Sequence, residues 1–367
     1  VTLIDKDKDF VSGPLSNEVI SGERDLAFIT FSFDARRKQG INVVHDEVVE
    51  IDPAKKTVKT KGGKTFEADY LVVAPGISFK WGAIEGYDEA ASKVMPHAWL
   101  PGEQTLLLKK RIEAVPDGGL VVIVAPPNPF RCPPGPYERA AQFANYFVHH
   151  GRKKCKVIIL DSKDAFSKQG LFTAGWKHNY GDMIEWIGAS GGGKVSAIDP
   201  KGMVIQGEFD EYKVDAASVI APHHAGAIAV KAGLTDEKGW CPVDQATFES
   251  KKAKDVFVVG DSCIPGAMPK SGYAANSQGK VVAAVIAARA LGVDPPKAAY
   301  TNTCYSVLAP DYGISVAGVY QVGPQGTLVE VPGSGGVSPA DETLETRARE
   351  AVYQISWFRN IKSDGWG

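Results

Sequence analysis

Asp255-Val256-Phe257-Val258-Val259-Gly260-Asp261 is the stretch that decides the fold. Four apolar residues, three of them valine, stand between an aspartate and a glycine, which reads as a short buried strand. Gly260 lets the backbone turn and come close to a ligand. Asp261 then places a carboxylate at the strand end, ready to accept hydrogen bonds. Residues 273–291 follow as a helix rich in Ala and Val. Strand, glycine turn and small-residue helix in that order indicate a parallel α/β unit, whose ligands collect at the carboxyl ends of the strands.

Outward from this stretch the same style recurs. Residues 1–5 and 41–44 read as strands, and 47–51 and 56–60 as a hairpin around Asp52-Pro53. A buried strand at 69–73 ends in Ala74-Pro75-Gly76. Apolar strands follow at 120–125, 156–160 and 214–221, with a helix over 136–150. The predicted fold class is α/β: two Rossmann-like three-layer domains plus a smaller α+β C-terminal domain. The first domain is discontinuous (1–85 and 223–294), the second spans 86–222, and 295–367 forms the third. In that tail the pattern predicts turns and then one helix, with Ser338 as N-cap, Pro339 at N1 and Asp341 in the first turn. Leu344, Ala348, Ala351, Ile355 and Phe358 would share its protein-facing side.

Composition narrows the function. The 367 residues carry 41 basic and 43 acidic side chains, a balance that offers no footprint for nucleic acid. No apolar run approaches the 18 residues of a membrane span. The adjacent pairs His149-His150 and His223-His224 are poorly disposed for one metal and read as surface residues, so no metal site is expected.

The strand-end residues point to a flavin. Asp261 is placed to accept from ribityl hydroxyls. Asp5, closing the first strand, is placed like the acid that binds an adenosine ribose. Ala74, Pro75 and Gly76 would bring the chain back past the dinucleotide. A glycine loop of the G-x-G-x-x-G kind belongs about 20 residues before such an Asp5; it is expected upstream of Val1. In the second unit the strand at 120–125 opens into Pro126-Pro127-Asn128-Pro129-Phe130-Arg131-Cys132-Pro133-Pro134-Gly135-Pro136. Prolines fix φ and lack N–H donors, so this loop is a poor pyrophosphate cradle and implies a lost NAD(P)H site. It holds Cys132 rigidly instead, with Glu138 just beyond.

Five cysteines leave one unpaired at least. Cys132 and Cys304 could meet over the flavin ring, as a redox pair or as a structural disulfide; spacing leaves both open. Cys241 and Cys263 flank the Gly-Asp turn, as core thiols or as a bridge. Cys155, amid Arg152, Lys153, Lys154 and Lys156, reads as the spare on a surface turn. No C-x-x-C-H occurs, so this chain attaches no c-type haem.

Longer motifs carry a resemblance. Phe130-Arg131-Cys132-Pro133-Pro134-Gly135-Pro136-Tyr137-Glu138-Arg139-Ala140, Leu15-Ser16-Asn17-Glu18-Val19, Met268-Pro269-Lys270-Ser271-Gly272-Tyr273, Asn276-Ser277-Gln278-Gly279-Lys280 and Asn302-Thr303-Cys304-Tyr305-Ser306 resemble the flavoprotein subunit of flavocytochrome c sulfide dehydrogenase. The resemblance implies a periplasmic FAD enzyme of the disulfide-reductase superfamily. It implies sulfide as substrate, a c-type cytochrome partner carrying the haem, and a redox-active disulfide matching Cys132 and Cys304. By the same analogy Cys304 lies nearer the flavin, Glu138 is an acid/base and Trp357 is the aromatic beside the ring. Lys270, ahead of Gly272 and Tyr273, would set positive charge near the flavin N1–C2=O edge. One departure stands out: Gly13 occupies the place of the family's flavin-linking cysteine, which predicts FAD bound without a covalent bond. Two alternatives are a sulfide:quinone oxidoreductase and a non-catalytic subunit that only docks a cytochrome.

Overall fold

The computed structural model describes residues 1–367 throughout. Its best-buried layer is a parallel four-stranded sheet, in the order Ile184–Ile187, Lys156–Asp161, Leu120–Ala125, Ala216–Val219. Val121, Val122 and Ile123 are fully buried, because helices cover both faces of such a sheet. Helix Gly135–His149 packs on it through Ala140, Phe143, Ala144 and Phe147, all fully buried.

The first unit is built differently. Thr2–Asp5 pairs in parallel with Asn42–His45, and Leu71–Val73 in parallel with Val256–Val258, as two separate two-stranded ribbons. The second pairing brings the Ala74-Pro75-Gly76 turn beside Gly260-Asp261, although about 180 residues separate them in sequence. Val48–Asp52 and Thr57–Thr60 form the expected hairpin, extended by Thr65–Glu67.

The tail departs from the pattern of turns and one helix. Ala299–Ala309 and Tyr312–Val322 form a long antiparallel hairpin. Alternation is hidden there because Asn302 and Ser306, both polar, are buried. Helix Leu344–Trp366 lies across this hairpin, close enough that a Cβ on Gly313 would fall 2.4 Å from the Ala351 backbone nitrogen. Its cap is Thr343, whose hydroxyl accepts the Thr346 N–H at 3.2 Å. Ser338 is not the cap: its hydroxyl accepts the Ser315 N–H and donates to Glu350. Of the expected apolar face, Ala351 and Phe358 are buried while Leu344 is exposed, and Arg347 and Gln354 complete the buried side. Phe358 enters a small core of Leu15, Val19, Ile29 and Phe31, which ties the tail to the first unit. Arg36 donates to the carbonyls of Ser363, Asp364 and Gly365 at the helix C-terminus, where a cation is favoured.

Two further expectations are corrected. Cys155 is buried, not on the surface, with its thiol toward the Pro116 carbonyl. His223 is buried, because its Nδ1 accepts the Arg131 N–H. Of the two readings open for Cys241 and Cys263, which pair across a parallel bridge, the structure shows free buried thiols.

Candidate active site

The proline-rich loop is folded onto the Gly-Asp turn. The Cys132 N–H donates to the Lys270 carbonyl at 2.8 Å, and the Cys132 carbonyl accepts from Gly135. Cys132 has φ +56, an uncommon conformation for a side-chain-bearing residue, and such outliers gather at functional sites. Gly135 is needed for closeness: a Cβ there would lie 2.5 Å from the Trp99 ring and 3.1 Å from Cys132 Sγ.

Cys304 arrives on the Ala299–Ala309 strand. It and Cys132 are free, half-buried thiols, close enough for charge on Cys304 to be felt at Cys132. Burial, with the Cys304 and Glu138 charges, pushes the Cys132 thiol up to about 12. Asn302 Nδ2 lies 3.4 Å from Cys304 Sγ, and Asn302 Oδ1 accepts from Ser271, the N-cap of helix Gly272–Leu291. The thiol is thereby coupled to the start of that helix.

Glu138 sits between the two cysteine-bearing segments. Its carboxylate accepts from the Val307 N–H at 2.9 Å and from Asn17 Nδ2 at 3.1 Å. Burial raises its pKa, so it holds a proton at higher pH than an ordinary carboxyl. Beneath it Arg139 is fully enclosed, donating to Asn17 Oδ1, Ser218 Oγ and the His97 and Ala98 carbonyls. This buried fork fixes Asn17 and hence the carboxylate.

The strand-end residues fit a flavin's sugar chain. Gly260 has φ +73, which favours glycine. Asp261 Oδ1 is buried with no hydrogen-bond partner, while its Oδ2 lies 3.4 Å from Arg131 Nε. An orphaned buried carboxylate oxygen calls for a donor, and a ribityl hydroxyl is one. The Gly76 carbonyl accepts from Ser262 and Gly226, locking the two strand-end turns together. Asp5 is half-buried and accepts the Asp7 N–H. Trp357 stacks on Tyr273 at 5.8 Å and 8°, and lies 6.3 Å from Tyr305, so the three rings form one aromatic cluster. Gly13 belongs to the same neighbourhood: a Cβ on it would sit 2.8 Å from Arg131 Nη2.

Lys270 differs from expectation. Its ammonium turns inward, donating to the carbonyls of Asp261 and Cys263 and lying 3.9 Å from the Trp240 ring centre. It braces the turn rather than presenting a free charge. The residues missed in the sequence are Lys168, Asn17 as a ligand of Glu138, and Arg139. Asn17 and Arg139 lie inside quoted motifs, which was the only available signal; Lys168 had none.

Comparison with known proteins bears on this geometry. Residues 105–221 match the family model described as the central part of the sulfide dehydrogenase [flavocytochrome c] flavoprotein chain. Residues 296–366 match that of the flavocytochrome c sulphide dehydrogenase flavin-binding region. The chain is 21% identical over 302 residues to the mitochondrial sulfide:quinone oxidoreductase of Mus musculus, covering 76% of this chain and 63% of that protein. It is 25% identical over 268 residues to the sulfide-quinone reductase of Aquifex aeolicus, covering 67% and 60%. It thus spans under two thirds of the length of these relatives. The crystal structure of the Aquifex aeolicus sulfide:quinone oxidoreductase superposes with a TM-score of 0.73 at 19% identity, over 99% of this chain and 85% of that one. The fold is the mixed α/β one of that structure, consistent with two Rossmann-like domains and a β-rich C-terminal one.

Proposed function

We propose that this flavoprotein oxidises sulfide through a Cys132–Cys304 disulfide and non-covalently bound FAD, and passes the electrons to a c-type cytochrome partner in the periplasm. The observation that carries the reading is the convergence of two half-buried thiols and a carboxyl of raised pKa beside the Gly260-Asp261 turn. FAD, when bound, supplies a two-electron acceptor that can release its electrons singly.

The protein's own residues do the rest. HS⁻ attacks Cys132 Sγ; the S–S bond breaks and its electron pair leaves on Cys304 Sγ. Cys132, held as a poor thiolate, is the sulfur carrier, a persulfide after attack. Glu138 takes the proton that this persulfide releases. Asn302 holds Cys304 in place. The balance is one HS⁻ converted to one sulfane sulfur and one proton, with two electrons passed on.

The test is sulfide-dependent bleaching of the flavin absorption, with Cys132→Ser and Cys304→Ser each expected to abolish it; full activity in either variant overturns the mechanism. Non-reducing digestion of the oxidised protein should yield a Cys132–Cys304 linked peptide. Acid precipitation should release the flavin into the supernatant, since Gly13 offers no sulfur for a covalent link.

Quinone is the second acceptor, favoured by the names of the relatives. Cytochrome is favoured by the two flavocytochrome c models. It also suits the exposed face of helix Leu344–Trp366, where Leu344, Val352 and Tyr353 are interspersed with Glu345, Arg349 and Arg359. Reduction assays with cytochrome c alone and with quinone alone distinguish the two.

A further inference from the structure

Lys168 is a buried cation outside every motif described above. It precedes helix Gln169–Tyr180 with φ +60, so its side chain is aimed inward from a conformation few lysines adopt. Its Nζ donates to the Cys304 carbonyl and to Ser306 Oγ, each at 2.9 Å. Both acceptors are neutral. A buried ammonium held only by neutral oxygens is unfavourable unless a negative charge arises close by. The groups that face it are Cys304 on the long hairpin, Glu138 on the Gly135–His149 helix, Cys132 on the proline-rich loop and Glu350 on the C-terminal helix. Of these, Cys304 is the one on whose backbone the ammonium sits.

We propose that Lys168 is the positioning cation of Cys304, and decides which sulfur of the pair leaves as thiolate when the disulfide opens. The inference rests on the proposed disulfide chemistry. In the step HS⁻ + Cys132–S–S–Cys304, the new bond forms at Cys132 and the electron pair of the broken bond goes to Cys304. An ammonium held on the Cys304 carbonyl and on Ser306 Oγ stabilises charge on that sulfur; Cys132 lies within reach of the same cation but takes no hydrogen bond from it, and has Glu138 as a like-charged neighbour. Lys168 touches neither substrate nor flavin, so it acts through Cys304. Burial draws its pKa down to about 8, and the cation is therefore present below that pH and fades above it.

Cys304 reactivity in the flavin-containing Cys132→Ser protein tests this without calling on sulfide turnover. Iodoacetamide labelling of Cys304 is followed by peptide mass spectrometry across pH. Adding Lys168→Met should slow labelling at pH 7 about tenfold and move its midpoint up by about one unit, the effect of removing a neighbouring opposite charge. Lys168→Arg should restore most of the rate. Unchanged profiles in both Lys168→Met and Lys168→Gln overturn the proposal, as does a slowing that Arg does not rescue. Protection of buried Cys155 in the same digest reports folding; a Met variant that exposes it is replaced by the Gln variant, which decides. Because labelling needs no sulfide, loss of sulfide activity in every assay would overturn the functional reading and leave this result standing.

Discussion

Two pairs of cysteines in this molecule are each accompanied by a buried lysine. Cys241 and Cys263 face each other across a parallel bridge, and Lys270 donates to the Cys263 carbonyl at 2.5 Å. Cys132 and Cys304 lie within electrostatic reach of each other, and Lys168 donates to the Cys304 carbonyl at 2.9 Å. Burial pushes Cys241, Cys263 and Cys132 all up to about 12, so desolvation does not separate the pairs. Two other things do. Cys241 and Cys263 are wholly enclosed, whereas Cys132 and Cys304 are half-buried. The lysines themselves are held alike, Lys270 by a second carbonyl and the Trp240 ring, Lys168 by Ser306 Oγ and the Phe172 ring. The second pair has, besides, a buried carboxyl of raised pKa, Glu138, whose charge is felt at Cys132. Nucleophile access and a proton carrier make a thiol pair reactive; proximity and a cation alone do not.

The largest effect that this contrast predicts is in sulfide-dependent turnover. Cys132→Ser or Cys304→Ser should lower it by roughly 10³-fold or more, since either removes the covalent route altogether. Cys241→Ala and Cys263→Ala should remain within about threefold of the parent, because their sulfurs do not reach the reacting atoms. Comparable losses in all four variants would erase the distinction between the pairs.

Glu138→Gln comes next. It keeps the shape and can still accept the Val307 N–H, but it carries no proton, and a loss of about 10²-fold in kcat is expected. Stopped-flow flavin reduction by sulfide separates this from an effect on binding, which would show in KM. A smaller effect is the alkaline limb. Turnover should decline as pH rises through about 8, where Lys168 loses its charge, and Lys168→Arg should carry the decline to higher pH. A limb unmoved by the arginine would assign it to another group.

How far the sequence reveals this site depends on the range of each interaction. The Gly260-Asp261 turn, the proline-rich loop and the placement of Cys132 next to Glu138 are local, and local chemistry is legible. Cys304 was identifiable by motif, while its strand was not, because buried Asn302 and Ser306 break the alternation that marks a half-buried strand. Asn17 reaches Glu138 across 121 positions and Lys168 reaches Cys304 across 136, distances at which no periodicity connects residues. Ser338-Pro339 has the look of a helix start, yet tertiary contacts to Ser315 and Glu350 claim its hydroxyl. The same holds for Cys155: its basic neighbours suggest a surface, but the thiol itself is buried against the Pro116 carbonyl, just ahead of an inner strand of the four-stranded sheet.

The smallest predicted effect, on stability, runs in the opposite direction from the activity ranking. Cys241 and Cys263 are both fully buried in the main core beside Trp240, Val243 and Val258. Truncating either to alanine removes a sulfur from a close-packed site that cannot fully collapse, a loss of about 1–2 kcal/mol. Cys132→Ala, at a half-buried loop position, leaves room for solvent to fill and should change stability by under about 0.5 kcal/mol. Urea unfolding of the three variants reads this through the midpoint at constant slope. The pair that matters least to turnover should thus matter most to folding. If Cys132→Ala instead proves the most destabilising, the loop that carries it is held by its sulfur, and the separation of a structural from a reactive pair fails at its structural end.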